Sequence, residues 1–170
     1  MAKRAVMLIA FKDFKDKELF ETKQVLEEHG VDVRIASKTK GVATGMDGKT
    51  VEVNFDYREI LPEDFDAIVF VGGGGASEYF NDDVALGLAR DFHNKRKVVA
   101  AICIAPSILA NAGLLNGREA TAFSSESSNL RAKGAIYTNE DVTVDKLIIT
   151  GKGPHAAKQF GEKIAETLGR

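Results

Sequence analysis

Short apolar runs alternate with longer amphipathic segments along most of the chain. Near-continuous apolar runs of this kind are typical of strands that are buried on both faces of a parallel sheet. We predict six strands from them, at residues 5–10, 31–37, 67–71, 98–102, 119–123 and 147–150. The pattern therefore favours a sheet that is covered by helices on both faces.

Amphipathic segments between these runs predict the covering helices. The first extends from about residue 17 to 29, with Leu19, Lys23 and Leu26 on its inward stripe. Gly30 follows it at the position where a helix commonly ends. We predict further helices at about residues 77–80, 84–94, 105–112 and 156–168.

Two short segments have the pattern of antiparallel hairpins. Residues 42–44 and 50–53 flank a Met-Asp-Gly-Lys turn, which carries the Asp-Gly signature of a tight hairpin. Residues 142–144 and 147–149 flank Asp145 and Lys146 in a second candidate. We expect both hairpins to be small additions to the main sheet.

The order of these elements predicts an α/β, flavodoxin-like three-layer sandwich, with a mostly parallel sheet, helices on both faces and small antiparallel hairpin additions. At 170 residues, without repeats or linkers, the chain is expected to form one domain over residues 1–170. Ligands of such sheets bind beyond the carboxyl ends of the strands. Four segments should meet at that edge, namely residues 11–18, 72–77, 103–106 and 151–155.

Composition and charge narrow the functional classes. The formal net charge of −2 and the pI of about 6.0 give no sign of nucleic-acid binding by bulk charge. The basic pair at residues 3–4 and the apolar run after it superficially resemble a signal peptide, but charged residues follow without a cleavage site. No apolar run approaches the ~18 residues that a membrane helix needs. We therefore expect a protein without a membrane segment.

Cys103 is the first candidate for chemistry. It is the only cysteine, so it cannot form an internal disulfide, which fits a reducing, cytoplasmic compartment. It follows a predicted strand, and Pro106 opens a helix three residues later. Unpaired N–H groups and the dipole at a helix start favour thiolate, so a nucleophile is one interpretation. The alternative is a small core residue, because free cysteine is usually buried.

Three other features near the same edge are candidates for a supporting role. Glu18, in the first helical turn, either complements the helix dipole or faces the Cys103 sulfur as a protonated acid or general base. The four glycines at 72–75 either allow tight packing or present N–H groups to an anion. His155, at a helix start, could act as a base or merely be a solvated neighbour of the cap. No spacing of His, Cys and Asp predicts a metal site.

Together these segments resemble the ThiJ/PfpI family, whose fold is like that of the class I glutamine amidotransferases. That family includes glyoxalase-type enzymes, proposed deglycases, intracellular proteases and a parkinsonism-associated stress protein. The matching segments are FKDKEL at 14–19, DAIVFVGGG at 66–74, AAICIAP at 100–106, NAGLL at 111–115 and TGKGP at 150–154. Each is weak alone, but their order and spacing cover nearly the whole chain.

The resemblance implies roles for specific residues. It implies that Cys103 is a nucleophile on a strained turn and that Glu18 is its partner carboxyl. It also implies that the backbone N–H of Gly73 or Gly74, with that of Ile104, receives an oxyanion. Members of the family usually form dimers or larger assemblies, so a homo-oligomer is expected.

Two positions depart from the family pattern. In the protease-like branch a histidine directly follows the cysteine, and this chain has Ile104 there. In the stress-protein branch a histidine lies near the end of the next strand, where this chain has Phe123. His155 is the one replacement that the sequence offers. A Cys–His peptidase is therefore disfavoured, because no clear base remains to activate the thiol.

The remaining cysteine–glutamate pair suits a cofactor-independent glyoxalase or deglycase that acts on small carbonyls such as methylglyoxal or on glycated adducts. The same pair suits an alternative, a redox-sensing, chaperone-like protein, because an exposed low-pKa thiol is readily oxidised. An intracellular cysteine peptidase is the third possibility. We expect neither a metal nor an organic cofactor for the first reaction.

Overall fold

A seven-stranded sheet forms the centre of the computed structural model, which describes residues 1–170. The strands of the chain are β1 (Arg4–Leu8), β2 (Lys12–Phe14), β3 (Asp32–Ser37), β4 (Gly41–Gly45), β5 (Thr50–Val53), β6 (Phe55–Asp56), β7 (Ala67–Phe70), β8 (Val98–Ile102), β9 (Glu119–Ala120), β10 (Ile136–Tyr137), β11 (Val142–Asp145) and β12 (Ile148–Gly151). The central sheet has the order β11-β12-β8-β7-β1-β3-β6. All its neighbours pair in parallel except β11 with β12. The five main parallel strands thus follow the flavodoxin-like order.

Helices cover both faces of this sheet, as the sequence predicts. They are α1 (Asp16–Glu28), α2 (Asp83–Asn94), α3 (Pro106–Asn111), α4 (Ser127–Ala132) and α5 (Ala157–Leu168). Short 3₁₀ helices occupy residues 57–59, 62–64, 74–79, 124–126 and 154–156.

The two faces of the sheet belong to separate hydrophobic cores. Leu19 of α1 and Phe160 of α5 pack in one core with Met7. Phe92 of α2 packs in the other core with Leu8. Successive residues of a strand point to opposite faces, so the apolar runs must be buried on both. The three-layer α/β fold is confirmed.

Both predicted hairpins form. Strands β4 and β5 pair antiparallel, and β2 joins them to give a three-stranded sheet outside the central one. Strands β11 and β12 pair antiparallel at one edge of the central sheet. The second hairpin therefore closes the sheet on the side of β12.

The prediction of a strand at residues 119–123 is wrong beyond its first two residues. Only Glu119–Ala120 is extended, and it pairs with β10 in a separate two-stranded sheet. The position beside β12 is already taken by β11, so no ladder is open to the run. Thr121 N–H instead donates to Thr150 Oγ1 at 2.9 Å, and Phe123 N–H donates to the Cys103 carbonyl at 2.8 Å. The apolar run alone does not show that its backbone groups form hydrogen bonds outside a strand ladder.

Several short elements have no counterpart in the sequence prediction. They are β2, β6, β9–β10 as a separate pair, α4 and most of the 3₁₀ helices. The helix predicted at 77–80 is the end of the 3₁₀ segment Gly74–Tyr79. In α4 only Leu130 is buried, so this six-residue helix carries no apolar periodicity to detect.

Candidate active site

The carboxyl ends of the parallel strands bring the four predicted segments together. Lys15 N–H donates to the Gly72 carbonyl at 2.9 Å, which joins the segment after β1 to the segment after β7. Cys103 N–H donates to the Gly151 carbonyl at 2.9 Å, which joins the segment after β8 to the end of β12. The site thus rests on backbone hydrogen bonds between neighbouring strands.

Cys103 sits on a strained turn between β8 and α3. Its φ is +65°, a left-handed value that is uncommon for any residue except glycine. Hydrogen bonds on both sides hold this conformation, because its N–H binds Gly151 and its carbonyl accepts from Phe123. Strain of this kind persists only where the surroundings over-determine it, and it concentrates at functional sites. The strained turn that the resemblance implies is present.

Glu18 is fully buried in the first turn of α1. Its Oε1 accepts a hydrogen bond from Gly72 N–H at 2.9 Å. Its Oε2 is buried without a well-formed hydrogen bond, and the one side chain that interacts with the carboxyl as a hydrogen-bonding group is Cys103. Burial raises the pKa of Glu18 to about 7, against smaller lowering effects from Cys103, Gly72 and Lys15. The carboxyl can therefore lose or gain its proton near neutral pH.

Backbone N–H groups from two loops approach the sulfur of Cys103. They belong to Gly73 and Ile104, and both act to lower the pKa of the thiol. The N–H of Gly74 does not join them, because it donates to Met46 Sδ at 3.3 Å. Of the two glycines that the resemblance offers as alternatives, Gly73 therefore lies with Ile104 at the sulfur, whereas Gly74 is directed towards the first hairpin.

The expectation that the helix start favours thiolate is wrong for the pair as it stands. Burial and the negative charge of Glu18 outweigh the two N–H groups and raise the pKa of the Cys103 thiol to about 12. Helix α3 has only six residues, and Cys103 lies before its first turn. In the resting pair the thiol therefore keeps its proton at neutral pH.

Cys103 and Glu18 titrate as a unit because they interact directly. The pair holds both protons below about pH 7, where Glu18 is neutral. Above that pH Glu18 is ionised, and its negative charge together with burial raises the pKa of the Cys103 thiol, so the remaining proton stays on the sulfur. Above about pH 7 an ionised carboxyl thus lies beside a protonated thiol, which is the arrangement of a nucleophile and a neighbouring general base.

A small cavity of about 280 Å³ opens onto the sulfur. Its lining comprises Lys15, Met46, Gly73, Gly74, Cys103, Ile104, Phe123, Ser125 and Pro154. Cys103 is 9% exposed, so a reactant reaches the thiol only through this space. The volume lies at the lower end for small-molecule sites and suits a molecule of a few heavy atoms.

The first hairpin reaches the cavity because a buried carboxylate fastens it to α1. Asp16 accepts from the N–H groups of Asp47 and Lys49, each at 2.9 Å. Gly45 allows this approach, since a Cβ there would lie 2.1 Å from Asp16 Oδ1. This fastening, which brings Met46 to the cavity, has no signal in the sequence beyond the acidic first turn of α1.

His155 is not brought to the sulfur. Its Nε2 lies 2.9 Å from Asp141 Oδ1 at the surface, where the histidine side chain is 59% exposed. It is absent from the lining of the cavity, whereas Phe123 contributes to it. The structure therefore offers no imidazole beside Cys103.

Gly72 has a role that the four-glycine run suggests only in general terms. A Cβ on Gly72 would lie 2.5 Å from both Cys103 Cβ and Glu18 Oε1, and 2.7 Å from the Ile102 carbonyl oxygen. The bare backbone of this residue is thus the spacer that lets the thiol and the carboxyl approach each other.

We expect Gly72→Ala to destabilise the protein by about 1–3 kcal/mol, because an extra methyl group must displace the buried pair. Denaturant unfolding measures the change. Gly87→Ala is the matched control, since a Cβ there meets nothing within 4 Å and alanine should stabilise α2 by about 0.5–1 kcal/mol. Equal effects of the two substitutions would contradict the spacer role.

No group of three or more histidine, cysteine, aspartate or glutamate side chains is arranged to hold a metal ion. None of the helices combines the length and the apolar character that crossing a bilayer requires.

The family profile described as DJ-1/PfpI matches residues 3–167. The chain belongs to the DJ-1/PfpI family. The resemblance seen in the sequence is thereby confirmed, because ThiJ/PfpI is the name that solved members carry. An uncharacterised protein of Methanocaldococcus jannaschii is 41% identical over 168 residues, which span 97% of this chain and 82% of that protein.

Other DJ-1/PfpI proteins carry more informative names. A protein named deglycase PfpI, from Pyrococcus furiosus, is 33% identical over 149 residues, covering 88% of this chain and 90% of that one. A solved ThiJ/PfpI domain protein from Brachyspira murdochii superposes with a TM-score of 0.97 at 31% identity, covering 99% and 97% of the two chains. Drosophila melanogaster DJ-1beta superposes with a TM-score of 0.89 at 28% identity, covering 99% and 91%.

Proposed function

We propose that this DJ-1/PfpI protein is a cysteine-dependent, cofactor-independent enzyme of the glyoxalase or deglycase type that acts on small reactive carbonyls such as methylglyoxal. One observation carries the proposal. A fully buried carboxyl whose pKa is about 7 lies against the only thiol of the chain, at the base of a small cavity. A general base poised near neutral pH is what addition of a thiol to an aldehyde requires.

In the first step the sulfur of Cys103 adds to the aldehyde carbon of methylglyoxal. The C–S bond forms as the C=O double bond becomes a single bond, and Glu18 carboxylate takes the thiol proton. The N–H groups that approach the sulfur, from Gly73 and Ile104, lie close to where the new oxyanion develops. Return of the proton from Glu18 to that oxygen gives a neutral hemithioacetal.

In the second step Glu18 moves a proton within the adduct. It removes the hydrogen from the carbon bonded to sulfur and returns a proton to the neighbouring carbon, through an enediol. The product is a 2-hydroxyacyl thioester of Cys103. Water then cleaves the thioester, releasing lactate and restoring the thiol, so the net reaction is methylglyoxal plus water to lactate with no external oxidant.

The relatives named deglycases support the same chemical class. They come from three Pyrococcus species and Thermococcus kodakarensis at 31–33% identity, with 88% of this chain aligned. In a deglycase reaction the carbonyl fragment is removed from an early adduct on an amine or thiol. The same thiol and carboxyl would capture that fragment, so glycated adducts are alternative substrates.

Lactate formation from methylglyoxal tests the proposal. The purified protein is incubated with ¹³C-labelled methylglyoxal and no added thiol, and products are followed by NMR. We expect lactate to accumulate over many turnovers per protein molecule. Stoichiometric capture of methylglyoxal without lactate release would contradict an enzymatic role.

A second candidate function is a redox response of Cys103. The observation that favours it is Glu18 Oε2, which is buried without a well-formed hydrogen bond. A protonated Oε2 could donate to a sulfinate oxygen, so oxidation would supply the partner that this atom lacks. Burial and the raised pKa of the thiol slow the first oxidation, so we expect excess peroxide, and not a dilute solution, to convert Cys103 to sulfinate, seen as a gain of two oxygens by mass spectrometry. Glu18→Leu, which cannot donate, should give further oxidation to sulfonate, and the same product distribution in both proteins would count against this candidate.

A peptidase remains the least favoured of the three functions. Peptide cleavage by a cysteine enzyme needs a base that also protonates the leaving amine. Ile104 and Phe123 line the cavity at the positions where other branches of the family carry histidine. His155 is directed to Asp141 at the surface.

A further inference from the structure

A second cavity, of about 590 Å³, lies at the opposite end of the sheet from Cys103. We call it the basic cavity. It is bounded by the segments that lead into β8 and β12, and its lining comprises His93, Asn94, Arg96, Arg118, Lys146 and Leu147. Three of these six side chains are permanent cations, and none is a carboxylate. A cavity lined in this way is electrostatically suited to an anion.

Arg96 occupies a backbone position that usually requires glycine. Helix α2 ends in a Schellman motif, in which Arg96 N–H donates to the His93 carbonyl and Lys97 N–H donates to the Phe92 carbonyl. The residue at the centre of that motif is left-handed, and Arg96 has φ +59°.

Three other helices of this chain carry glycine at the corresponding left-handed position. Helices α1, α3 and α4 end with the same pair of hydrogen bonds, and there the left-handed residue is Gly30, Gly113 and Gly134, with φ of +79°, +82° and +89°. Only the helix end at the basic cavity carries a side chain at this position. Arg96 is therefore the one residue other than glycine among the four left-handed positions of these Schellman motifs.

Lys146 is a second residue of the lining whose backbone conformation favours glycine. It is the first of the two loop residues between β11 and β12, since Asp145 pairs with Ile148. Its φ is +58°, and glycine is the favoured residue where a two-residue hairpin needs a positive φ there. Two cationic residues from separate segments thus occupy glycine-type positions in the lining of one cavity. Left-handed strain in residues other than glycine clusters at functional sites such as ligand clamps.

The positive charge of this cavity is largely uncompensated. Neither Arg96 nor Lys146 takes part in any of the ion pairs of the structure, and Arg118 has only a long contact, 3.8 Å from Nη1 to Asp145 Oδ1. Asp145 Oδ2 meanwhile accepts from Glu119 N–H at 2.9 Å. The charge of Arg118 also acts, after burial, to lower the pKa of His93, which places the two groups in each other's field.

The positive region continues beyond the cavity. An adjoining space of about 270 Å³ shares Arg96 and Leu147 with it, and its lining also includes Lys3, Lys95, Lys97 and Arg170 with one acidic side chain, Asp66. Of these cations Arg170 is paired, with Glu166 at 3.0 Å. The Asp66 carboxylate accepts from Arg4 N–H at 2.9 Å. Since the whole chain has a net charge of −2, this concentration of cations is local and is not a property of its composition.

We propose that the basic cavity binds a small molecule that carries a phosphate or pyrophosphate group. Arginine presents paired donors that match phosphate oxygens, and lysine adds a mobile point charge. The concave shape and limited volume suit a small ligand. This site is separate from the thiol, so its occupation requires no assumption about the reaction at Cys103.

Titration with pyrophosphate at constant ionic strength tests the proposal, with isothermal calorimetry as the readout. We expect one saturable site with a Kd below about 1 mM. Arg96→Gly and Lys146→Gly should each weaken binding at least about tenfold, because each removes a cation from the cavity wall. The same substitutions should raise Tm by about 2–4 °C, because glycine relieves the left-handed strain.

Asn139→Gly serves as the matched control. Asn139 has φ +59° but does not line the basic cavity, so the substitution should leave the Kd unchanged. Arg96→Lys should weaken binding less than Arg96→Gly does, because the charge stays although the paired donors are lost. The proposal is overturned if wild-type protein shows no saturable binding, or if both glycine variants bind pyrophosphate as tightly as wild type. Unchanged lactate production in these variants would keep this result independent of the proposed enzymatic function.

Discussion

Replacing Glu18 with glutamine should change the free energy of unfolding by about 3 kcal/mol more in the stabilising direction at pH 8 than at pH 4.5. The same substitution should remove turnover. The folded-state pKa of Glu18, about 7, lies above its ordinary value of 4.5. Folding therefore favours the neutral acid, and this contribution to stability is complete below pH 4.5 and lost as the pH rises through 7. A shift of this size corresponds to about 3 kcal/mol. Glutamine is neutral at every pH and avoids that loss.

Denaturant unfolding of wild type and Glu18→Gln at pH 4.5 and pH 8 measures the effect. The difference in free energy of unfolding between the two proteins should grow with pH. Glu28→Gln is the control on the same helix, because Glu28 is exposed and should show no such growth. A Glu18→Gln difference that is equal at the two pH values would contradict a buried, neutral-preferring carboxyl.

Replacing Cys103 with serine should lower kcat/KM for lactate formation at least about 1,000-fold. Serine keeps the shape and the backbone hydrogen bonds of the turn, but its hydroxyl is far harder to deprotonate than a thiol. Glu18 with a pKa of about 7 is too weak a base to compensate. NMR quantification of lactate measures the loss, and circular dichroism checks that the fold is retained. Activity within tenfold of wild type would show that the reaction does not use the thiol.

The three-layer architecture could be predicted from sequence because its signal, the pattern of apolar runs, is local. Apolar runs such as 67–71 and 98–102 can bury both of their faces only between two helical layers, and in the structure they lie there. The run at 119–123 looks the same in sequence. It does not join the central sheet because β11 already occupies the edge position beside β12.

The site was predictable as a set of residues but not as an electrostatic system. Cys103, Glu18, Gly73 and Ile104 meet as the family resemblance implies. The direction of the thiol pKa was wrong, because it depends on burial and on the distance to the Glu18 charge, neither of which a motif contains. The choice between Gly73 and Gly74 cannot be made from the sequence for a similar reason, since Gly74 N–H donates to Met46 of a hairpin that is held by Asp16.

The role of Gly72 can be recognised only from the structure. The four-glycine run marks a tight turn in sequence, and its members look equivalent. The structure separates them, because only Gly72 lies between the thiol and the carboxyl. His155 shows the converse, since its place after the last strand suggested the site and its side chain instead meets Asp141.

The pH dependence of kcat/KM for lactate formation tests the central claim, that Cys103 and Glu18 act as one proton-sharing pair. Below about pH 7 the pair carries both protons, and Glu18 cannot accept the thiol proton. Wild-type kcat/KM should therefore fall about tenfold per pH unit on the acid side of an inflection near pH 7. The rate constant for alkylation of Cys103 by iodoacetamide should show the same inflection in wild type and lose it in Glu18→Gln. An unchanged inflection in Glu18→Gln would contradict the account.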